Sequence, residues 1–148
     1  MNVFLASDHR GYELKEKLEK ILGEKECCLV DLTPLHDPED DYPDVAGLLA
    51  MTVKEDLSNN ARGILLCGSG AGVTVGANRF RAIRATLGLN KEQVQAARND
   101  DDVNVLVIAA DYTDEKEAEA MSRVFLETAF AEEERFLRRR ELLDTLGP

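Results

Sequence analysis

The sequence has few of the residues from which disulfide and metal sites are built. Its 148 residues include three cysteines and two histidines. The cysteine count is odd and two cysteines are adjacent, which excludes a disulfide framework. The sequence contains no CxxC pair and no HExxH segment, so we expect no structural metal site.

Positive charge is scarce as well. Lysine and arginine number 18 against 29 aspartates and glutamates, which gives a formal net charge of −11. This balance excludes a general nucleic-acid binder, which needs a basic face for the phosphate backbone, and it argues against an anionic membrane surface. A few well-placed arginines can still bind one phosphate group within an acidic protein.

Long apolar runs are also missing. Every apolar stretch is far shorter than the roughly 20 residues of a membrane span. The chain passes from Met1-Asn2 straight into the apolar residues 3–6, so we expect no signal peptide and a cytoplasmic location. The length and the 44% hydrophobic content predict one globular domain over residues 1–148.

Short apolar runs alternate with longer amphipathic ones, which predicts an α/β fold with a parallel sheet covered on both faces. The predicted strands cover residues 3–6, 27–32, 63–67, 82–87 and 105–110. The predicted helices cover residues 12–22, 45–57, 73–80, 91–98, 115–130 and 132–146. In such sheets ligands bind beyond the carboxyl ends of the strands. The last helix either packs on its own subunit or docks on a neighbour.

A glycine-rich turn follows the third predicted strand. Cys67 ends that strand, and Gly68-Ser69-Gly70-Ala71-Gly72 leads into a helix. The N–H groups and dipole of a helix start stabilise an anion, and the same field is expected to lower the pKa of the cysteine thiol. The alternative is a packing cysteine beside an ordinary turn. The turn does not match GxxxxGK[ST] and matches GxGxxG poorly, which argues against a nucleotide site.

Two further loops carry candidate ligand-binding residues. Asp8 and His9 follow the first strand, where they could hold sugar hydroxyls or orient a proton transfer. Asp8 could instead cap the helix that begins near Tyr12. The acidic loop before the second helix contains Tyr42, and its simplest interpretation is a solvated loop that caps that helix.

The C-terminal helix carries Arg135 and Arg139, four residues apart and on one face. They could clamp a phosphate, or they could form ion pairs with Glu132, Glu134 or Glu141. Elsewhere, we interpret Cys27 and Cys28 as core residues of a central strand. The run of residues 100–102 is interpreted as a solvated acidic loop.

Together these motifs resemble the type B ribose-5-phosphate isomerases and the related galactose-6-phosphate isomerases. Order and spacing agree over nearly the whole chain, to about Leu143. The resemblance rests on these segments: Ser7-Asp8-His9, Gly11-Tyr12-Glu13-Leu14-Lys15, Asp41-Tyr42-Pro43-Asp44, residues 63–70, Ala77-Asn78-Arg79, Ile83-Arg84-Ala85 and Asn104-Val105-Leu106.

The resemblance implies a three-layer α/β/α sandwich with a five-stranded, Rossmann-like parallel sheet and an extra C-terminal helix. It also implies a homodimer with shared active sites, or a dimer of dimers, with helix 132–146 at the interface. The implied reaction is a sugar-phosphate aldose–ketose isomerisation through a cis-enediolate, without metal or cofactor. Ribose 5-phosphate and ribulose 5-phosphate are the simplest substrate pair.

Residue roles also follow from the resemblance. Cys67 is the implied base between C1 and C2, and Ser69 handles protons at the substrate oxygens. The amides of the turn hold the oxyanion. The implied substrate contacts are Asp8, His9, Tyr42, Gly68, Gly70, Ala71, Gly72, Asp101, Arg135 and Arg139, with Arg10 as a further candidate phosphate contact.

The sequence departs from the family pattern at three positions. Asp100 stands where the family has its ring-opening histidine, Asp111 where it has an arginine, and Phe136 where it has another histidine. An aspartate side chain is ionised near neutral pH, so we expect Asp100 to be a poor acid. Ring opening is then slow, is performed by His9, or occurs spontaneously in solution.

Two other functions fit parts of the sequence. A non-catalytic phosphosugar-binding relative would keep the fold and lose turnover. A receiver-like signalling domain fits the acidic α/β character but leaves the Cys67 turn unexplained. An isomerase of a different pentose or hexose phosphate is a third alternative.

Overall fold

A five-stranded parallel sheet forms the centre of the molecule. The structure, a computed structural model, describes residues 1–23 and 28–146. The strands lie in the order β2-β1-β3-β5-β4, and each neighbouring pair is parallel. They are β1 (Val3–Ser7), β2 (Leu29–Asp31), β3 (Arg62–Cys67), β4 (Ala85–Leu87) and β5 (Val105–Ala109).

Helices cover both faces of the sheet, as the sequence predicts. They are α1 (Tyr12–Gly23), α2 (Tyr42–Glu55), α3 (Ala71–Ala77), α4 (Lys91–Asp101), α5 (Glu115–Glu127) and α6 (Glu134–Asp144). One apolar core lies between the sheet and α2 and α3. The other lies between the sheet and α1, α4 and α5. Among the described residues, no helix combines the length and apolar character that crossing a bilayer requires.

Two predicted elements differ from the structure for identifiable reasons. Helix α2 begins at Tyr42 rather than at residue 45, because Pro43 in its first turn favours a helix start. Strand β4 is reduced to three residues, since Ala82 adopts a left-handed conformation with φ of 69° in a turn before the strand.

The second strand corrects the interpretation of the paired cysteines. β2 lies at the edge of the sheet, and Cys28 is exposed, so Cys28 is not a core residue of a central strand. An apolar run therefore did not imply a central position here. Cys27 lies outside the described residues.

Strand order changes direction between β1 and β3, which places a ligand crevice at their carboxyl ends. The start of α1 packs closely against β3 at this point. A Cβ added at Gly11 would lie 2.7 Å from the carbonyl carbon of Leu66, closer than folded proteins tolerate. Glycine at this position therefore lets the loop after β1 lie directly on β3.

A buried lysine fixes the other end of this loop. Lys15 is fully buried, and its ammonium group pairs with Asp31 and, at 3.0 Å, with Glu16. The ring of Tyr12 lies 4.7 Å from the same nitrogen. The lysine thus joins α1 to β2 beside the loop that carries Asp8 and His9.

Candidate active site

The ends of β1 and β3 bring two predicted site residues together. Ser7 and Leu66 are register partners, and the next backbone N–H, that of Asp8, donates to the Leu66 carbonyl at 3.2 Å. Cys67 follows Leu66 and is 7% exposed. The Asp8 carboxylate lies close enough to the Cys67 thiol to raise its pKa.

Asp8 also organises its own loop. Its Oδ1 accepts hydrogen bonds from the backbone N–H groups of Arg10 and Gly11, each at 3.0 Å. The capping interpretation of Asp8 is not confirmed, because Arg10 and Gly11 both precede α1, and Asp8 shapes the turn before the helix instead. The buried carboxylate holds the loop in shape while it faces the thiol.

The protonation of Cys67 is the opposite of the sequence-based expectation. Burial, together with the nearby Asp8 carboxylate, raises the pKa of the thiol to about 11. The backbone N–H groups of Gly70 and Gly68 lower the pKa of the thiol, but they do not outweigh the other two effects. The expectation of a lowered pKa is wrong because it considered the helix start alone.

The glycine turn is shaped by close contacts on two sides. Gly70 has a φ of 73°, and a Cβ there would lie 2.6 Å from Leu87. A Cβ at Gly72 would lie 2.6 Å from the ring of Tyr42. Gly70 is therefore needed for its positive φ, and Gly72 is needed for the close approach of the Tyr42 ring. The contact with Gly72 brings Tyr42 to the site.

Ser69 lies at the open side of this turn. It is exposed, unlike its neighbours Gly68 and Gly70. Its Oγ accepts the N–H of Ala71 at 3.4 Å, a long hydrogen bond. The hydroxyl is accessible to a molecule bound above Cys67.

His9 is held by a residue that the sequence did not single out for this role. Its Nδ1 lies 2.6 Å from Oδ1 of Asp40, and the same oxygen accepts the His9 backbone N–H at 3.1 Å. The hydrogen bond with Asp40 is the main cause that raises the pKa of the imidazole. Asp8 adds to this effect, while partial burial and Arg10 oppose it.

Arg10 crosses from the β1 loop to the end of β5. Its guanidinium pairs with Asp111, at the position where the resemblance implies an arginine. A Cβ at Gly68 would lie 2.6 Å from the Arg10 Nε, so the side chain rests directly on the glycine turn. One cation thus lies at the rim beside Cys67, and it is paired with an acid of the same chain.

The remaining predicted residues lie at the opposite edge of the sheet. α4 begins beyond the carboxyl end of β4 and ends at Asp101, just before β5 begins. Asp100 and Asp101 are therefore at the amino edge, separated from Cys67 by the length of β5, about 15 Å. One chain does not bring them to the thiol.

Asp102 shows that this acidic run is not simply a solvated loop. Its carboxylate accepts hydrogen bonds from Arg84, Arg98 and Arg140, at 2.8, 3.0 and 3.2 Å. Arg140 belongs to α6, so the contact ties the last helix to the end of α4. The interpretation of residues 100–102 as a solvated loop is wrong for Asp102.

The two candidate phosphate-binding arginines are exposed on α6 at this amino edge. Arg135 pairs with Glu133 at 2.9 Å, a partner that sequence spacing did not suggest, and it lies 4.5 Å from the ring centre of the buried Phe136. Within residues 1–23 and 28–146, Arg139 has neither an ion pair nor a hydrogen bond. The cation is therefore available to a ligand.

Comparison with known proteins places this arrangement in a family. The model of the family described as Ribose/Galactose Isomerase matches residues 3–143. The chain belongs to the ribose/galactose isomerase family. The predicted family and the predicted three-layer fold are thereby confirmed.

Individual relatives align with this chain over most of their lengths. The probable ribose-5-phosphate isomerase B of Mycoplasma pneumoniae is 39% identical over 129 residues, which cover 86% of this chain and 84% of that one. A crystal structure of a ribose 5-phosphate isomerase from Thermotoga maritima superposes with a TM-score of 0.89 at 36% identity, covering 98% of each chain. The Mycoplasma genitalium ribose-5-phosphate isomerase B with bound ribulose-5-phosphate gives a TM-score of 0.90 at 36% identity, covering 97% of this chain and 93% of that one.

Within this isomerase-family chain, sequence reasoning missed the side-chain partners of the candidate site residues. Asp40 lies two residues before Tyr42 in a loop rich in acids, so nothing in the sequence separated it from its neighbours. The contact between Arg10 and Asp111 spans 101 positions along the chain. Such pairings are set by which strand ends are adjacent in the sheet.

Proposed function

We propose that the protein interconverts ribose 5-phosphate and ribulose 5-phosphate. The observation that carries the proposal is the buried Cys67 thiol, which lies near the buried Asp8 and leads into the Gly68–Gly72 turn at the switch point of the sheet. The known activity of ribose-5-phosphate isomerases, together with the family membership of this chain, supports the choice of substrate.

Cys67 is the proton-transferring base of the proposed reaction. As thiolate, its sulfur takes the proton from C2 of the open-chain aldose, and the electron pair left behind forms the C1–C2 double bond of an enediolate. A proton passes from O2 to O1, and the same thiol returns its proton to C1 as the C2 carbonyl forms, which gives the ketose. Since the raised pKa keeps the resting group protonated, the thiolate is a minor form and activity should increase with pH above neutrality.

The turn supplies the electrostatic part of the site. Enediolate formation places negative charge on the substrate oxygens, and backbone N–H groups aimed at such oxygens stabilise the transition state. Gly68, Gly70, Ala71 and Gly72 are the proposed donors. Ser69 lies within reach of the substrate oxygens, and Tyr42 forms the wall beside Gly72.

A second copy of the chain completes the site in this proposal. Asp100, Asp101, Arg135 and Arg139 lie about a strand length from the thiol of their own chain, so they can serve only the Cys67 of a partner. An open groove of about 1020 Å³ between β4, α4 and the end of α6 offers a place for that partner. The protein then acts as a homodimer, or a dimer of dimers, in the cytoplasm, with α6 at the interface.

Three arginines are the proposed phosphate-binding residues. Arg135 and Arg139 present two guanidinium groups from one helix face, a geometry suited to phosphate oxygens. Arg10 adds a third from the rim of the thiol pocket, where Asp111 holds it in place. No metal or cofactor is part of the proposal.

The test is a panel of pentose and hexose phosphates incubated with the protein and followed for isomer formation. In deuterated water, an isomerase exchanges the C2 proton of its aldose substrate. We expect conversion and exchange with ribose 5-phosphate. Saturable binding without exchange would identify a non-catalytic phosphosugar-binding protein, and turnover of a different sugar alone would correct the substrate.

A further inference from the structure

Ring opening needs an acid close to the reacting carbons. The ring oxygen of a furanose is bonded to C1, which the proposed reaction places at the sulfur of Cys67. The acid must therefore lie a few ångströms from this pocket. Asp100 of the same chain lies at the other edge of the sheet, and its carboxylate accepts a hydrogen bond from Asn99 at 2.8 Å. In the proposed dimer, Asp100 of the second copy is the competing candidate, and Asp100→Asn distinguishes it from an acid within the chain.

One histidine lies in the loop that borders that pocket. His9 directly follows the buried Asp8, which shapes this loop through two backbone N–H groups. The other histidine, His36, is exposed and packs 5.0 Å from the ring of Tyr12. Imidazole is the side chain whose ordinary pKa best suits proton transfer near neutral pH.

Asp40 fixes both the position and the charge of His9. One carboxylate oxygen accepts from the ring Nδ1 and from the backbone N–H of the same residue. Nδ1 is therefore occupied, and among the residues that the structure describes Nε2 has no hydrogen-bond partner. The side chain of His9 is 40% exposed and that of Asp40 is 18% exposed, so the free nitrogen is accessible while the carboxylate is shielded.

We propose that Asp40 is a positioning residue that holds His9 as the ring-opening acid of this isomerase. This inference rests on the proposed function. The His9 Nε2–H gives its proton to the ring oxygen as the bond between that oxygen and C1 breaks. The electron pair of the O1–H bond forms the C1 carbonyl, the O1 proton passes to water, and His9 regains its proton from solvent.

The charged groups around His9 agree with this role. Asp40 and Asp8 both favour the protonated imidazole, and Arg10 is the cation that opposes them. Asp40 is the larger of the two acidic influences. Loss of its charge should therefore move the titration of His9 towards lower pH.

The test compares Asp40→Asn with Asp41→Asn. Asn keeps the size of the side chain and an oxygen for the backbone N–H of His9. The control removes the same charge from the neighbouring residue, which makes no side-chain cap hydrogen bond to α2. The His9 titration is followed by NMR, with the signals assigned through His36→Gln.

We expect Asp40→Asn to lower the His9 titration midpoint and to reduce kcat for cyclic ribose 5-phosphate about tenfold or more. The alkaline limb of its kcat profile should move to lower pH. Proton exchange at C1 of ribulose 5-phosphate, a ketose that cannot form this ring, should continue at the unaltered rate. Asp41→Asn should change none of these quantities.

Three results would overturn the inference. The first is an unchanged His9 titration in Asp40→Asn. The second is an equal loss of ribose 5-phosphate conversion and ribulose 5-phosphate exchange. The third is a higher KM with unaltered kcat, which would make His9 a phosphate contact. An unaltered protein that processes neither sugar would refute the proposed function instead, and the titration would still decide whether Asp40 controls His9.

Discussion

The two edges of the sheet are built in different ways. At the carboxyl edge, Asp8, Cys67 and the glycine turn are fixed by backbone hydrogen bonds and by contacts too close for any added Cβ. At the amino edge, Arg135 and Arg139 are exposed on a helix that Phe136 and the Arg140–Asp102 contact hold in place. The comparison indicates that the proposed proton-transfer residues are preorganised within one chain, whereas the proposed phosphate-binding arginines are exposed.

The largest effect is expected at the carboxyl edge, from Cys67→Ala. Loss of the proposed base should reduce kcat by about 10²–10⁴-fold. Circular dichroism and the oligomeric state should be retained, since a small side chain is lost. Cys28→Ala is the matched control, because Cys28 is exposed at the sheet edge and should not affect turnover. Near-normal turnover in Cys67→Ala would remove the thiol from the mechanism.

A smaller effect, confined to binding, is expected at the amino edge. Arg139→Ala should raise KM for ribose 5-phosphate roughly 10–100-fold, as expected for loss of a charged hydrogen bond. Arg135→Ala should act in the same direction. Steady-state kinetics with inorganic phosphate as a competitive inhibitor would separate binding from turnover.

The control for the amino edge is Arg138→Ala. Arg138 is an exposed arginine on the same helix, and it has no ion pair among the described residues. The variant therefore removes one positive charge without removing a proposed phosphate contact. Equal effects of Arg138→Ala and Arg139→Ala would show that only net charge matters.

Much of the arrangement at the carboxyl edge could be predicted from residues that are close together in the sequence. The strand-turn-helix of Cys67 and the glycines is a local pattern, and Tyr42 and Asp8 lie where the predicted strand ends put them. The raised pKa of the Cys67 thiol could not be foreseen. Its protonation depends on burial and on a carboxylate 59 positions away in the chain, and neither is visible before β1 and β3 are paired.

The amino edge was harder to predict for a related reason. Asp100, Asp101 and Asp102 read as one acidic run, yet Asp102 binds three arginines while Asp101 is exposed. Two adjacent residues thus differ, since one is the centre of an ion-pair cluster and the other is a solvated side chain. Composition and spacing alone do not distinguish the two.

A moderate effect on thiol chemistry is expected from Asp8→Asn. Asn retains an oxygen for the N–H groups of Arg10 and Gly11, but it removes the charge that opposes thiolate formation. The pKa of Cys67 should fall, and each unit of decrease gives about ten times more thiolate at a fixed pH below it. Iodoacetamide labelling of Cys67, followed by peptide mass spectrometry, should therefore be faster. Slower labelling would contradict the assigned cause of the raised pKa.

The smallest effect is expected from Asp100→Asn. If Asp100 is not the ring-opening acid, the rate with ribose 5-phosphate should stay within experimental error of the unaltered protein. Asp100→His should increase the rate, because it adds an imidazole at the position of the family histidine. Loss of activity in Asp100→Asn, with a rate that falls as pH rises through a carboxyl titration, would make Asp100 the acid.

Subunit complementation tests most directly whether the two edges belong to one site. Cys67→Ala and Arg139→Ala chains, each nearly inactive at low substrate concentration, are co-expressed or refolded together. Mixed dimers would contain one site with both changes and one with neither, so activity should recover to about a quarter of that of the unaltered protein. Activity that stays at the average of the two separate variants would contradict a shared site and the central claim of this account.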